Sequence, residues 1–297
     1  MLVDDALDQA MRDHWGRLLA LLVRQFRRVD LAEDCLADAF ARAAARWPAD
    51  GVPDNPPAWL LTTSRNRALD RLKAEEVARR KEPLLVVEEL LREPESEDEV
   101  AAAGDISDDR LRLVFMTCHP ALAPEAQAAL ALRLVLGIAT PEITRLFLVS
   151  EPTMAARITR AKKKIVASAI PFSVPSGDAL DDRIDSAVRA AYLGFTAGYA
   201  PGVGALLFRA DLAAEAIRLG RLLDELLPGR RVIKAALALM VLQFARRDAR
   251  SVGGRLVLLA DQDRNRWHHD EIAVGLDLLM TLEPTERGTP RNCGCRP

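Results

Sequence analysis

A row of cationic and hydroxyl side chains near the middle of the chain has the spacing of one helix face. Its members recur at intervals of three or four residues and are Thr153, Arg157, Arg160 and Lys164. The same side also carries Ala156, with Lys162 and Lys163 beside it. Guanidinium and ammonium groups bind phosphate oxygens, and arginine can donate two hydrogen bonds to a base edge. The row therefore indicates a surface that binds a nucleic acid.

The charge of this stretch stands out against the rest of the chain. Only six lysines occur against 35 arginines, yet three of the six are consecutive at 162–164. Between residues 140 and 166 there are six basic and two acidic residues, in a chain whose net charge is −2. A basic helix face can also be no more than a solvated surface. The local excess favours phosphate binding, because cations near phosphates gain affinity by releasing counterions.

A helix-turn-helix over 137–165 would position this row. Thr140 can cap a first helix, Pro141 suits its first position and Glu142 favours its dipole. Residues 148–150 then form a tight connection, and Ser150 caps a second helix that begins near Glu151. The buried stripe of the second helix has the members Met154, Ile158, Ala161 and Ile165. Its opposite face, which carries the cations, suits the major groove of DNA.

Length and composition limit the fold class. The chain has 297 residues and 49% hydrophobic content, so it can bury a sizeable core in one to three domains. Alanine, leucine and arginine dominate, which favours helices over sheets and predicts an all-α protein. The N-terminus is acidic where a signal peptide would be basic, and the uncharged apolar runs are too short to cross a bilayer. We therefore expect a cytoplasmic protein without a membrane partner.

No motif indicates a metal, a cofactor or an enzyme. The four cysteines form no C-x-x-C pair, and Cys118-His119 is expected to end a buried helix. Residues 261–265 imitate the start of a calcium loop, but Arg266 and Ile272 replace the glycine and glutamate that the loop requires. The chain also shows no Ser-His-Asp order, nucleophile elbow or phosphate loop.

Three amphipathic helices are predicted before this region. The first ends around Arg28, and the second begins with the capping-box spacing of Asp30 and Glu33 and stops at Pro48. Residues 49–57 are rich in proline and glycine and form a loop. A third helix, capped by Asn55, runs over about 58–80 and carries an aromatic ring and many cations.

These pieces, in this order, resemble the bacterial RNA polymerase sigma factors of the extracytoplasmic-function group. The blocks that carry the resemblance are DLAEDCLADAFARAAARWP, NPPAWLLTTSRNRALDRLK and the helix-turn-helix ending RAKKKI. The resemblance implies two helical domains, at 1–82 for polymerase-clamp binding and opening of the promoter −10 element, and at 110–170 for reading the −35 element. It also implies core RNA polymerase and promoter DNA as partners.

The resemblance also implies roles for residues by position. Polymerase binding falls on Asp34, Asp38 and Arg42. Contacts with the −10 element fall on Asp54, Asn55, Trp59, Arg65, Asn66, Arg67 and Arg71. Contacts with the −35 element fall on Thr153, Ala156, Arg157, Arg160, Lys163 and Lys164. An aromatic ring with several arginines suits separated single strands, which are held by stacking and backbone charge.

The rest of the chain goes beyond a minimal sigma factor. Residues 83–109 hold ten acidic residues and one basic residue and are predicted to be an acidic linker. Residues 176–282 carry four apolar helical faces, which resemble the C-terminal helical-repeat extension of a sigma subgroup and predict a helical regulatory domain. An irregular tail follows at 283–297.

Two questions of function stay open at this stage. A stand-alone helix-turn-helix regulator with a helical ligand domain is the alternative function, although it leaves the cations of the third helix unexplained. An anti-sigma or other signalling partner is also left open.

Overall fold

The computed structural model describes residues 3–79, 103–199, 210–252 and 255–282, and these ranges are helical almost throughout. The N-terminal block contains α1 (Val3–Phe26), α2 (Val29–Asp50) and α3 (Pro56–Arg79). The middle block contains α4 (Ala103–Thr117), α5 (Pro124–Leu130), α6 (Thr140–Phe147) and α7 (Glu151–Ala167). The C-terminal block contains α8 (Asp178–Tyr199), α9 (Ala210–Leu226), α10 (Arg231–Phe244) and α11 (His269–Met280). The predicted all-α class is confirmed.

The ends of α2 differ from the prediction. Arg28 stands at the N-cap and its side chain makes no capping hydrogen bond, so the capping box of Asp30 and Glu33 is wrong. Pro48 lies inside the helix, in its last turn. The helix tolerates it there because the missing N–H removes only one backbone hydrogen bond. The helix ends at Gly51, whose φ of 83° suits glycine and whose N–H donates to the Trp47 carbonyl at 2.9 Å.

The start of α4 lies inside the segment that the sequence assigned to the linker. Residues 83–102 of that segment lie outside the described residues, but 103–109 form the first turns of α4. The carboxylate of Asp109 is buried and accepts bonds from Arg112 Nη1 at 2.8 Å and Arg24 Nη1 at 3.2 Å. This carboxylate joins α4 to α1, so α4 begins before residue 109, where the predicted linker ends.

The C-terminal block has the four helices that the apolar faces predict. A two-stranded hairpin of β1 (Ser251–Val252) and β2 (Arg255–Leu256) lies between α10 and α11. Residues 259–261 and 264–266 form short 3-10 turns, and the Asp263 carboxylate caps the second turn by accepting from Asn265 N at 3.0 Å. The tail at 283–297 lies outside the described residues.

One continuous apolar core joins the three blocks. It contains Trp15 and Leu36 of the N-terminal block, Phe115 and Ile143 of the middle block, and Leu223 of α9. A smaller cluster fills the space between α8, α9 and α10. Because the core is continuous, the three blocks support one another's packing.

Within the described ranges, no helix has both the length and the hydropathy needed to cross a membrane.

Candidate nucleic-acid interface

The predicted basic face of α7 is open to solvent. Thr153, Ala156, Arg160, Lys163 and Lys164 are exposed and Arg157 is half-buried. The four residues predicted to form the opposite stripe are all buried, and they are Met154, Ile158, Ala161 and Ile165. The structure therefore brings the six predicted −35 residues onto one accessible face.

Local bonds fix the start of α7 and of the helix before it. Ser150 caps α7 as predicted, since its Oγ accepts from Thr153 N at 3.4 Å and lies 2.7 Å from Thr153 Oγ1. In α6 the cap is Ala139 and not Thr140, and the bond back to the Ala139 N–H is accepted by Glu142 Oε2 at 3.2 Å. The predicted helix-turn-helix is confirmed with this one change of cap.

The turn between α6 and α7 contains a backbone conformation that side chains rarely adopt. Leu148 has a φ of 52° and is 76% exposed. Its neighbour Val149 donates its N–H to the Thr144 carbonyl at 3.2 Å, which closes α6. A left-handed residue at this point lets the chain reverse within the short connection.

The predicted −10 surface lies on α3 and on the loop before it. Asp54, Asn55 and Asn66 are exposed, whereas Arg65 is half-buried. Asn55 caps α3 as predicted, because its Oδ1 accepts from Ala58 N at 3.2 Å. Trp59 is half-buried, with its ring centroid 5.6 Å from that of Trp47 in an edge-on contact. This packing fixes the Trp59 ring and leaves part of it accessible for stacking.

The structure pairs residues that the sequence assigned to two different partners. Asp38 Oδ2 accepts from Arg67 Nε at 3.1 Å and from Arg71 Nη2 at 2.9 Å. Arg71 Nη1 also lies 3.3 Å from Asp34 Oδ2, while Arg42 is exposed. The predicted polymerase-binding carboxylates therefore neutralise two of the predicted −10 cations.

A buried ionic cluster between the first two blocks is a feature that sequence reasoning missed. We call it the Glu33 cluster, and it consists of Glu33 of α2, Arg133 of the π-helical turn at 131–135 and Lys162 of α7. Glu33 Oε1 accepts from Arg133 Nε at 2.6 Å, and Glu33 Oε2 accepts from Lys162 Nζ. The side chain of Glu33 is only 5% exposed. Its spacing from Asp30 assigned Glu33 to a capping box, and no local signal indicates its burial, because its partners lie 100 and 129 residues away.

Two glycines mark how closely the blocks approach around this cluster. A Cβ added to Gly16 of α1 would lie 2.1 Å from the Val135 carbonyl oxygen. One added to Gly137 would lie 2.7 Å from Cγ of Trp15, whose ring also lies 5.7 Å from the Arg133 guanidinium. Any larger residue at either glycine would push α1 away from the middle block.

The C-terminal block contacts both sides of this junction. Arg218 of α9 donates to the Arg12 carbonyl on α1 and, at 3.0 Å, to the Leu136 carbonyl of the middle block. Arg183 of α8 donates to the Phe115 carbonyl on α4 at 2.9 Å. One side chain of the extension thus joins the other two blocks directly.

Cys118 ends a buried helix, as predicted. It directly follows α4, is 0% exposed, and burial raises the pKa of its thiol to about 12. His119 beside it accepts from the Ala121 N–H at 3.0 Å, and burial lowers its pKa. A thiol held protonated in the interior is a poor nucleophile.

Comparison with known proteins matches the three blocks to three protein families. Residues 10–77 match Sigma-70 region 2, and residues 112–165 match Sigma-70 region 4. Residues 183–282 match a family of unknown function, DUF6596. The chain is 40% identical over 281 residues to a protein of Rhizobium meliloti (strain 1021) described as uncharacterized protein R00370.

That alignment covers 92% of this chain but 65% of the relative, so the chain spans less than two thirds of the relative's length. No solved structure matches the chain. The matched regions occur in the order region 2, region 4 and extension. The region 2 match includes most of α3 and the region 4 match most of α7, the helices that carry the two candidate DNA-binding surfaces. The chain therefore contains matches to two sigma-70 regions, and its C-terminal block matches the family DUF6596.

Proposed function

We propose that this protein is a sigma factor that directs core RNA polymerase to a small set of promoters and starts transcription. The observation that carries the proposal is the ordered pair of sigma blocks, with a solvent-exposed basic face on the second helix of the helix-turn-helix. Its partners would be core polymerase and promoter DNA, and it would act in the cytoplasm.

Each candidate surface has a role in this proposal. The face of α7 reads the −35 duplex, with Arg157 and Arg160 reaching bases and Lys163 and Lys164 reaching phosphates. Residues 59–71 of α3, with Asp54 and Asn55 in the loop before it, hold the separated −10 strand, for which the ring of Trp59 supplies a stacking surface. Asp34, Asp38 and Arg42 on α2 face the polymerase.

Reconstituted transcription tests the proposal. Core polymerase with this chain is expected to produce specific start sites on promoters recovered by selection from a genomic library. The matched control is the same chain with both Arg157→Ala and Arg160→Ala, which keeps the fold but removes two cations from the −35 face. The absence of specific starts with the unchanged chain on every recovered promoter would refute a sigma function.

The C-terminal block is the regulatory part of this proposal. Its helices contribute Ile184, Leu219 and Leu223 to the continuous core. Its Arg218 also joins α1 to the middle block. A domain in this position can bias the other two between a polymerase-competent and an incompetent arrangement with a few kcal/mol of differential contact energy.

A point substitution tests this role better than truncation within 171–175, because truncation would expose the apolar core of the other blocks. Arg218→Met removes the donor to two carbonyl groups and is expected to lower the free energy of unfolding by about 2 kcal/mol. If the block regulates, transcription measured well below the melting temperature changes severalfold. Arg221→Met, an exposed arginine on the same helix, is the control. Equal transcription by both variants and the unchanged chain would leave the block a purely stabilising module.

A further inference from the structure

We propose that an exposed leucine patch in the C-terminal block binds the acidic linker segment of the same chain, residues 84–99. The leucine patch consists of Leu256, Leu258 and Leu259 and lies in the loop 245–268 that joins α10 to α11. The proposal goes beyond promoter recognition, because the patch and the segment are outside both candidate DNA-binding surfaces.

Three large apolar side chains of the patch are in contact with water. Leu256, Leu258 and Leu259 are 52%, 75% and 57% exposed. Leu256 and Leu258 are two positions apart in extended backbone, so they point to the same side of the chain. A single exposed leucine needs no explanation, whereas a group of them on one surface marks a site that binds another segment.

Hydrogen bonds of the loop hold the leucines outward. The Val257 N–H donates to the Arg250 carbonyl at 2.8 Å, and the Asp261 N–H donates to the Leu258 carbonyl at 2.9 Å. The buried side chain of Gln262 donates to the Val257 carbonyl at 3.1 Å. Because the backbone is fixed on both sides of the patch, the leucines cannot turn into the core. Only another segment can cover them.

The charge of the loop limits which segment fits. Residues 245–268 carry six arginines and three aspartates, and Arg255, Arg264 and Arg266 are exposed. Two of the aspartates are already bonded, since Asp263 caps a 3-10 turn and Asp248 lies 2.8 Å from His268 Nε2. The fitting segment therefore combines apolar side chains with an excess of carboxylates.

The linker segment has both properties in its sequence, LLVVEELLREPESEDE. It carries six leucines and valines, seven acidic residues and one arginine. The acidic residues alone would suit a solvated linker, but such linkers are poor in apolar side chains. Burial of leucine and valine is favourable by about 25 cal/mol per Å² of apolar surface, so this apolar run favours a docked segment. The segment itself lies outside the described residues.

The chain is long enough for this contact. Leu91 is 12 residues after the end of α3 at Arg79 and 12 residues before the start of α4 at Ala103, which allows about 40 Å from each end. The linker rejoins the described structure at α4, which contacts α9. Phe244, at the end of α10, shares a core cluster with Ala213 near the start of α9. The 17 residues of α9 span about 26 Å, so the loop after α10 is about one helix length away.

Photocrosslinking within the free full chain tests the contact. Leu90→benzoylphenylalanine keeps an apolar side chain in the segment and forms a covalent bond with a neighbouring residue on irradiation. Peptide mapping by mass spectrometry is expected to find the cross-links in residues 255–266. The double variant Leu258→Ser and Leu259→Ser is expected to lower the yield at this loop about tenfold. Leu276→Ser, which changes an exposed leucine of α11, should leave the yield unchanged.

Charge variants test the second part of the proposal. Arg264→Gln with Arg266→Gln is expected to lower the yield about threefold, and this effect should disappear at high salt. Arg221→Gln, which removes an exposed arginine of α9, is the matched control. Both arginines of the loop are exposed, so this pair of substitutions remains informative even if the leucine variant loses helicity.

Two results would overturn the inference. One is an equal cross-linking yield at the loop in the unchanged chain and in every loop variant with native helicity. The other is cross-linking only between two chains, recognised by covalent dimers whose yield falls on dilution, because the segment would then bind another copy. Neither polymerase nor DNA is present in this experiment, so its result is independent of the proposed sigma function.

Discussion

The two helices proposed to contact DNA, α3 and α7, hold their cations in different states. On α7, Arg160, Lys163 and Lys164 are exposed. On α3, Arg67 and Arg71 are bound to carboxylates of α2 at 2.9–3.3 Å. A free cation gains the full attraction of a phosphate, whereas a paired one must first give up its partner. The difference indicates that the cations of the proposed −35 surface can bind phosphates directly. Those of the proposed −10 surface must first leave their carboxylate partners.

The largest expected effect is on the basic face of α7. Arg157→Ala and Arg160→Ala are each expected to weaken binding of a −35 duplex by about 1 to 3 kcal/mol if the side chain contacts a base edge. Anisotropy titrations with holoenzyme on matched and altered −35 sequences measure the loss. Arg221→Ala removes the same charge from the exposed surface of α9 and serves as the control. Unchanged affinity in both variants would mean that the basic face of α7 is only solvated.

A smaller effect is expected when the cations of α3 lose a carboxylate partner. Asp38→Asn removes the carboxylate that Arg67 and Arg71 share, which releases Arg67 and leaves Arg71 with Asp34 alone. This should tighten binding of single-stranded −10 DNA by about 0.5 to 1 kcal/mol. The slope of log affinity against log salt should also become steeper, because more counterions are released. Asp50→Asn, which breaks an exposed pair with Arg46 at the end of α2, makes the same change of net charge. Equal behaviour of the two variants would show that the pairs on α3 do not restrain its cations.

The smallest effect is expected in the turn between α6 and α7, which positions the basic face of α7. Leu148→Gly relieves the cost of a φ of 52° but adds backbone freedom to the unfolded chain. These contributions have similar size, so the free energy of unfolding should change by less than about 0.5 kcal/mol. Urea titration measures this change, and −35 affinity should stay the same. A large loss of affinity would show that the turn, and not only the face of α7, determines DNA binding.

Sequence alone determined the features that depend on neighbours within a few residues. The buried stripe of α7, the Ser150 cap and the Asn55 cap follow from side chains three or four positions apart. Helical periodicity fixes such relations before any tertiary contact forms. The all-α class and the sigma resemblance rest on the same local patterns.

Only the tertiary structure decided which charged groups meet. Glu33 looked like part of a helix cap, yet it is buried between Arg133 and Lys162, which lie 100 and 129 positions further along the chain. Asp109 looked like the end of an acidic linker, yet it lies inside the core and binds Arg24. Arg67 and Arg71 looked like free cations, yet they share Asp38. An ion pair forms wherever packing brings opposite charges out of water together, and the packing of distant helices is not encoded in the spacing of any single one.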